Sequence, residues 1–277
     1  MKARRLLTVD LSNQVWRNLH AHHALRHGGV FTGALYGFLT SLAAYARDVQ
    51  ATDIVICRDI KPYVRSQEYP PYKMLRAKQV DEDTRAAYAE SIGYVMEALA
   101  VLGLPVMGVP GYEADDCIAR LVQQHRCRFE LIVAASSDSD LYQLFNVSHF
   151  LVMGKSFAKA MDGDTLFADT GLTPEQFVIS VALSGTHNDV EGIPRVGRIT
   201  ADAAAKSPML MRKYRESHLA LIERNLHLIK LPHPTFPPVG IPLRTRPFDA
   251  RAFYRFCGKF NIEVTRHMLD AFERVSP

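Results

Sequence analysis

The chain has 277 residues, 48% of them hydrophobic and 22% charged, with a formal net charge of +4 at neutral pH. That is enough apolar material for one large core or for a core with a smaller lobe, and no run approaches the roughly 20 apolar residues needed to cross a bilayer. Met1 to Arg5 leads straight into a strand-like segment with no apolar leader, and Cys57, Cys117, Cys127 and Cys257 show no C-x-x-C spacing, so a cytoplasmic protein with reduced thiols is expected.

In chain order, Arg5–Asp10 (RLLTVD) is a short apolar run ending on an aspartate and reads as a buried strand. Leu35, Phe38, Leu39, Leu42, Ala46 and Val49 recur at steps of three and four, the buried stripe of a helix. Asp53–Asp59 (DIVICRD) is a second strand ending on an aspartate, which completes a β-α-β unit. Further helices are marked by Ile92, Val95, Met96, Leu99 and Leu102 and by Ala114, Ile118, Leu121 and Val122; Glu130–Ala135 (ELIVAA) supplies another strand. This alternation predicts an α/β fold with a central, mainly parallel sheet flanked by helices. Ligands of such sheets collect beyond the carboxyl ends of the strands, where Asp10, Asp59 and Asp138 stand.

After about residue 170 the pattern becomes helical. Thr173-Pro174 opens a helix, Gly192–Gly197 makes a turn, and helical periodicity resumes to Ile229. Leu231–Pro247 holds six prolines in an extended return segment, followed by apolar helices around Phe253–Phe260 and Val264–Phe272. The expected organisation is a core over 1–170, a helical lobe over 171–230 and a return segment over 231–277 that packs on the core. Cations gather at Lys61, Arg65, Lys73, Arg76 and Lys78, and again from Arg195 and Arg198 through Lys206, Arg212, Lys213 and Arg215, which suits a polyanion lying across the surface.

Glu113-Ala114-Asp115-Asp116 opens a helix, and Ser136-Ser137-Asp138-Ser139-Asp140 follows a strand. One or two carboxylates in a first helical turn are ordinary caps. Three in four positions, joined by Asp10, Asp59, Asp138, Asp140 and Asp189, exceed that need. Crowded carboxylates repel one another, and oxygen ligands without His or Cys favour Mg²⁺ or Mn²⁺, two of which would serve phosphodiester hydrolysis.

In this order and spacing, over roughly residues 5–230, the motifs resemble the structure-specific 5′-nuclease family. That family includes flap endonucleases, bacteriophage 5′→3′ exonucleases and the 5′-nuclease domain of bacterial DNA polymerase I. The match runs through Val9-Asp10-Leu11-Ser12-Asn13, Asp59 with Arg65 and Tyr72-Lys73-Met74-Leu75-Arg76, the E-A-D-D at Glu113–Asp116, and Ser136–Asp140. Gly192-Ile193-Pro194-Arg195-Val196-Gly197-Arg198 resembles the family's helix-hairpin-helix turn, with Arg195 in place of a glycine.

The resemblance implies a helical arch over about 61–92 and a helix-hairpin-helix lobe. It also implies metal-dependent 5′→3′ exonuclease and flap endonuclease activity on DNA with a 5′ single-stranded flap or 5′ end, and on RNA primer–DNA hybrids. As catalytic residues it implies Lys73, Arg76 and Asp116; as contacts to DNA, Arg17, Arg65, Tyr72 (stacking on a base), Gly192, Arg195, Gly197 and Arg198. Asp10, Asp59, Glu113, Asp115 and Asp116 would hold one Mg²⁺ or Mn²⁺, Asp138, Asp140 and Asp189 a second, and K⁺ would bridge at the hairpin turn. A monomeric, stand-alone enzyme, encoded by a bacteriophage and serving DNA replication, is the form expected.

The chain departs from the family's G-D-x-x-D at Gly185-Thr186-His187-Asn188-Asp189. Thr186 cannot supply a carboxylate's charge, so the second ion site is expected to be weakened unless His187 or Glu191 compensates. Two other readings stand beside the first. A PIN-type ribonuclease would share the acids but need neither the hairpin nor Lys73; a DNA-binding protein disabled for hydrolysis would keep the phosphate contacts. His20, His22, His23 and His27 are expected in a solvated loop, not at a metal.

Overall fold

The computed structural model describes residues 4–75, 79–242 and 247–275. The strands are β1 (Arg5–Asp10), β2 (Arg26–His27), β3 (Val30–Phe31), β4 (Asp53–Cys57), β5 (Val106–Met107), β6 (Leu131–Ala135) and β7 (Phe150–Met153). Among the described residues, five of them form one sheet in the order β5-β4-β1-β6-β7, with every pairing parallel, while β2 and β3 make a small antiparallel ribbon. β1 is central, in register with β4 from Leu6↔Asp53 to Asp10↔Cys57 and with β6 from Arg5↔Leu131 to Val9↔Ala135.

Both faces of the sheet are covered, which is why its strands are continuously apolar. Leu7, Val9, Ile54, Ile56, Val133 and Ala135 face one core. That side is built with the helices Gly33–Val49 and Glu82–Leu102 and the C-terminal helices Ala250–Lys259 and Arg266–Arg274, which contribute Phe253, Phe256 and Phe272. The alternate residues Leu6, Val55, Cys57, Ile132 and Ala134 face a second core under the helix Ala114–His125. Leu7 is fully buried, so truncating it to Ala costs about 3 kcal/mol.

Local signals fix the helix ends. Asp81 caps Glu82–Leu102 by accepting from the Thr84 amide at 2.8 Å, and Gly103, at φ 65°, closes it. Thr173 and Gln176 form a reciprocal capping box on Pro174–Ser184, as the Thr173-Pro174 pair predicts. Arg198–Lys206 and Pro208–Ile229 continue the helical lobe, the latter kinked at His218.

The region over 61–92 contains the short helix Val64–Glu68 and the start of Glu82–Leu102. A helix not anticipated from sequence, Leu11–Ala21, follows β1 directly; its buried stripe includes Gln14 and Asn18 between Leu11, Val15 and Leu19, which hides the apolar period. His20 therefore lies on a helix and His27 on β2, where a loop was expected, although both are exposed. Three cysteines are buried free thiols as expected, and Cys127 is exposed. Among the described residues no helix is long and apolar enough to cross a membrane.

Candidate active site

Because β1 lies between β4 and β6, the loops leaving the three strands open into one crevice at the sheet's carboxyl edge. Asp10, 6% exposed, caps the following helix through the Asn13 amide at 3.0 Å and accepts from Ser136 Oγ at 3.1 Å. Burial, then the charges of Asp59 and Asp138, push its carboxyl up to about 7. Asp59 accepts from Ser12 Oγ and from the Ala114 amide at 2.9 Å, which joins β1, β4 and the acidic helix start. Asp138 caps the next turn by accepting from the Asp140 amide at 2.9 Å.

The E-A-D-D motif divides into different roles. Asp115 is half-buried, its shielded Oδ1 has no hydrogen-bond partner, and desolvation followed by the charges of Asp138 and Asp10 holds its carboxyl well above the usual range. Asp116 is the opposite case. Its Oδ1 accepts from Arg65 Nη2 at 2.8 Å and the His233 amide at 2.7 Å; its Oδ2 accepts from Arg65 Nη1 at 2.6 Å and the Glu113 amide at 3.1 Å. With both oxygens doubly engaged, Asp116 holds Arg65 and the helix start. Glu113 accepts from Arg65 Nη1 at 3.1 Å, the Tyr72 hydroxyl at 2.8 Å and Lys73 Nζ, and so gathers the basic segment onto the acidic helix.

Three of the expected DNA contacts are engaged within the protein. Arg65 is 3% exposed and spends its remaining donors on the Leu228 and Lys230 carbonyls at 2.7 and 3.0 Å. Tyr72 is 7% exposed, packs with Val190 and Leu228, and gives its hydroxyl to Glu113, so its ring is not free to stack on a base. Arg17 donates to Gly154 O, Gln14 Oε1 and the Tyr45 hydroxyl. The chain had no signal for these partners, because all but Gln14 are distant in sequence.

Lys73 does reach the crevice. Its backbone is left-handed, at φ 57°, and its amide is held by the Asn188 carbonyl at 2.9 Å. Burial pulls its ammonium down, but the charge and hydrogen bond of Glu113 outweigh that and leave it raised. Arg76 lies outside the described residues.

The loop bearing the family departure supplies a residue missed from sequence. Thr186 Oγ1 accepts the Asn188 amide at 3.0 Å, which turns Asn188 inward. Asn188 is 3% exposed; its Nδ2 lies 3.4 Å from Asp140 Oδ2, and its Oδ1 is buried without a partner. Asn188, Asp140, Asp115, Glu113 and Lys73 line one cleft. Burial and Asp138 raise Asp140 to about 7. Asp189, at φ 60°, accepts from the Leu75 amide at 2.8 Å. His187 lines a neighbouring hollow with Asp138, and Glu191 is exposed, paired through its backbone with Gly185. A composition-based search for charge passes over a neutral asparagine, although its amide oxygen is a hard donor.

At the hairpin, the Val196 amide donates to the Ile193 carbonyl at 3.0 Å, with Pro194 second and Arg195 third in the turn at φ 67°. The turn thus survives the Arg-for-Gly exchange. Gly192 is required by packing, since a Cβ there would sit 2.3 Å from the Ser184 carbonyl carbon. Gly197 caps Arg198–Lys206, and Arg195, Gly197 and Arg198 are exposed, with Arg198 also paired to Asp202 at 2.9 Å.

The unpartnered Asp115 and Asn188 oxygens, in an all-oxygen set of mutually repelling acids, suit hard divalent cations. Among the described residues, however, no three of these carboxylates bring ligand atoms within 4.8 Å of one another. Glu113 is paired with Arg65 and Lys73, and Asp116 with Arg65.

Comparison with known proteins agrees with this geometry. DNA polymerase I of Mycobacterium tuberculosis (strain ATCC 25618 / H37Rv) is 34% identical over 197 residues, 69% of this chain and 21% of that protein, so the chain spans about a fifth of the relatives it matches. The fold is shared with bacteriophage T5 flap endonuclease, solved as a pseudo-enzyme-product complex with DNA and metal ions (TM-score 0.70, 19% identity, 98% of this chain and 100% of that one). It is shared also with flap endonuclease-1 from Methanococcus jannaschii (TM-score 0.64, 13% identity, 99% and 93% covered). Residues 5–171 match the family described as 5′-3′ exonuclease, N-terminal resolvase-like domain, and the chain belongs to that family.

Proposed function

We propose that the chain is a divalent-metal-dependent 5′-nuclease that hydrolyses DNA phosphodiester bonds near a 5′ end, as exonuclease and as flap endonuclease, acting as a monomer. The observation that carries this reading is Asp115: a buried carboxylate oxygen with no partner, among acids whose charges push one another's pKa up, opposite a lysine. A structural cap would have its oxygens engaged. The names of the relatives, a DNA polymerase I and a T5 flap endonuclease complexed with DNA and metal ions, support the same substrate and cofactor class.

Asp10, Asp59 and Asp115 with Asp138 would hold one ion, and Asp140 and Asp189 with the Asn188 amide oxygen the other; Mg²⁺ or Mn²⁺ fits this donor set. When bound, such ions neutralise phosphate charge and lower the pKa of water. The chain's own part is positioning. Glu113 keeps Lys73 charged and aimed along the cleft, from where its ammonium meets the scissile phosphate and stabilises the charge that develops there. Arg65 and Asp116 fix Glu113 behind it. The exposed turn Ile193–Gly197 and the free amides of Arg198–Lys206 would take a duplex phosphate, with K⁺ bridging at the turn.

The test is a labelled 5′-flap duplex, and in parallel an RNA primer–DNA hybrid, incubated with and without Mg²⁺ or Mn²⁺, with Asp115→Asn as control. Asp116→Asn is the wrong control, because it disturbs Arg65. Metal-dependent cleavage absent from Asp115→Asn supports the proposal. Metal-dependent binding with no cleavage by the wild type would replace it with a DNA-binding role, and cleavage of single-stranded RNA alone with a ribonuclease.

A further inference from the structure

A second group of metal-ligating side chains lies outside the acidic crevice. Glu68 ends the helix Val64–Glu68, His227 is in the last turn of Pro208–Ile229, and His233 is in the proline-rich return segment. Although 159 and 165 residues separate the histidines from Glu68, both Nε2 atoms converge on Glu68 Oε2, at 2.9 Å from His227 and 3.2 Å from His233. All three ligand atoms lie within 4.8 Å of one another, and among the described residues no other such group occurs.

We propose that Glu68, His227 and His233 bind one divalent transition-metal ion of the zinc class, which staples three distant segments of the chain together.

The distances suit that ion. Tetrahedral zinc at bonds of about 2.0–2.1 Å sets its ligand atoms about 3.3 Å apart, so the two Glu–His spacings need to widen by only a few tenths of an ångström. The chemistry suits it too, since two imidazole nitrogens and one carboxylate select zinc, cobalt or nickel over magnesium. His233 is fully buried and its Nδ1 lies 2.9 Å from Thr235 Oγ1, which in turn lies 2.9 Å from the Tyr112 hydroxyl; this chain turns Nε2 toward the site. The side chains of His227 and Glu68 are 44% and 35% exposed, which gives an ion a way in and leaves a fourth position for water.

The location gives the staple its effect. The His233 amide donates to Asp116 at 2.7 Å, and Arg65, three residues before Glu68, bonds the Leu228 and Lys230 carbonyls on either side of the helix end. An ion here reinforces the support under Glu113, and none of its three ligands lines the cleft.

The experiment is a Co²⁺ titration of the whole chain in excess Mg²⁺, which keeps the acidic crevice filled, followed by visible absorption, and a thermal melt with stoichiometric Zn²⁺. One equivalent of Co²⁺ with four-coordinate ligand-field bands is expected, together with a Tm raised by Zn²⁺. His227→Ala, on an exposed helix face, should weaken Co²⁺ binding by about 100-fold while keeping the wild-type circular dichroism, and Glu68→Gln should weaken it as well. Asp115→Asn should bind Co²⁺ as the wild type does, so the result is independent of the nuclease reading. Co²⁺ binding that survives His227→Ala, that Mg²⁺ competes away, or that does not occur at all would overturn the proposal and leave a hydrogen-bonded His–Glu–His group.

Discussion

Arg65 and Asp116 meet through two parallel hydrogen bonds, 2.6 and 2.8 Å long, with side chains only 3% and 0% exposed. Such a pair adds little net stability, but breaking it strands a buried charge. Asp116→Ala should destabilise the protein by about 3 kcal/mol, visible as a lower urea midpoint, and Arg65→Lys should fail to restore it because an ammonium cannot make the fork. Unchanged unfolding midpoints would return Asp116 to the list of free ligands.

The acidic crevice makes an opposite prediction for its own members. In the fold, burial and the charges of neighbouring carboxylates push Asp10 and Asp140 up from 3.8 to about 7. Between those values the folded state holds more protons, so metal-free stability falls as pH rises through the window. Melting curves without metal should show Tm dropping from about pH 4 to pH 7 by this contribution, and Mg²⁺ should recover it at pH 8. Asp10→Asn should raise the metal-free Tm at pH 8 by about 5 °C; a lower Tm would show that Asp10 is a structural cap first.

Lys73→Ala removes the ammonium that Glu113 holds in the cleft. Single-turnover cleavage should slow by about 100- to 1,000-fold, while DNA affinity, read by anisotropy in Ca²⁺, changes less than threefold. Equal losses in both would make Lys73 a binding residue.

Asn188 is tested by giving its oxygen a carboxylate's charge and by removing it. Asn188→Asp should tighten Mn²⁺ binding, followed by electron paramagnetic resonance, and Asn188→Ala should loosen it by about 10-fold. No change in either direction would exclude the amide from the second ion.

Arg195 occupies a left-handed backbone that glycine adopts without cost. Arg195→Gly should stabilise the lobe by about 1 kcal/mol and, if the turn meets duplex DNA, reduce the salt slope of binding by about one. Arg198→Ala should reduce the slope similarly, and an unchanged slope in both would remove the turn from the interface.

The sheet was legible in the chain because β1, β4 and β6 are buried on both faces and therefore apolar throughout, and because each leads into an aspartate. β5 and β7 were not, since two and four residues carry too little pattern. Residue type marked the acids, but not their division of labour. Asp115 and Asp116 are neighbours in sequence, yet one has an unpartnered oxygen and the other is saturated, because Arg65 and His233 approach only one side of the helix. The same lack of long-range information hid the internal partners of Arg17, Arg65 and Tyr72.

Two hydrogen bonds run between the segments on either side of the cleft, from the Lys73 amide to Asn188 and from the Leu75 amide to the Asp189 carboxylate. The loop that receives them leads directly into the hairpin. Lys73 and the hairpin therefore share one mechanical frame, so a duplex gripped at the hairpin, far from the reacting bond, would be felt as alignment of the lysine. A substrate shortened on its duplex side would then lose turnover number as well as affinity, the kinetic mark of remote binding energy spent on geometry.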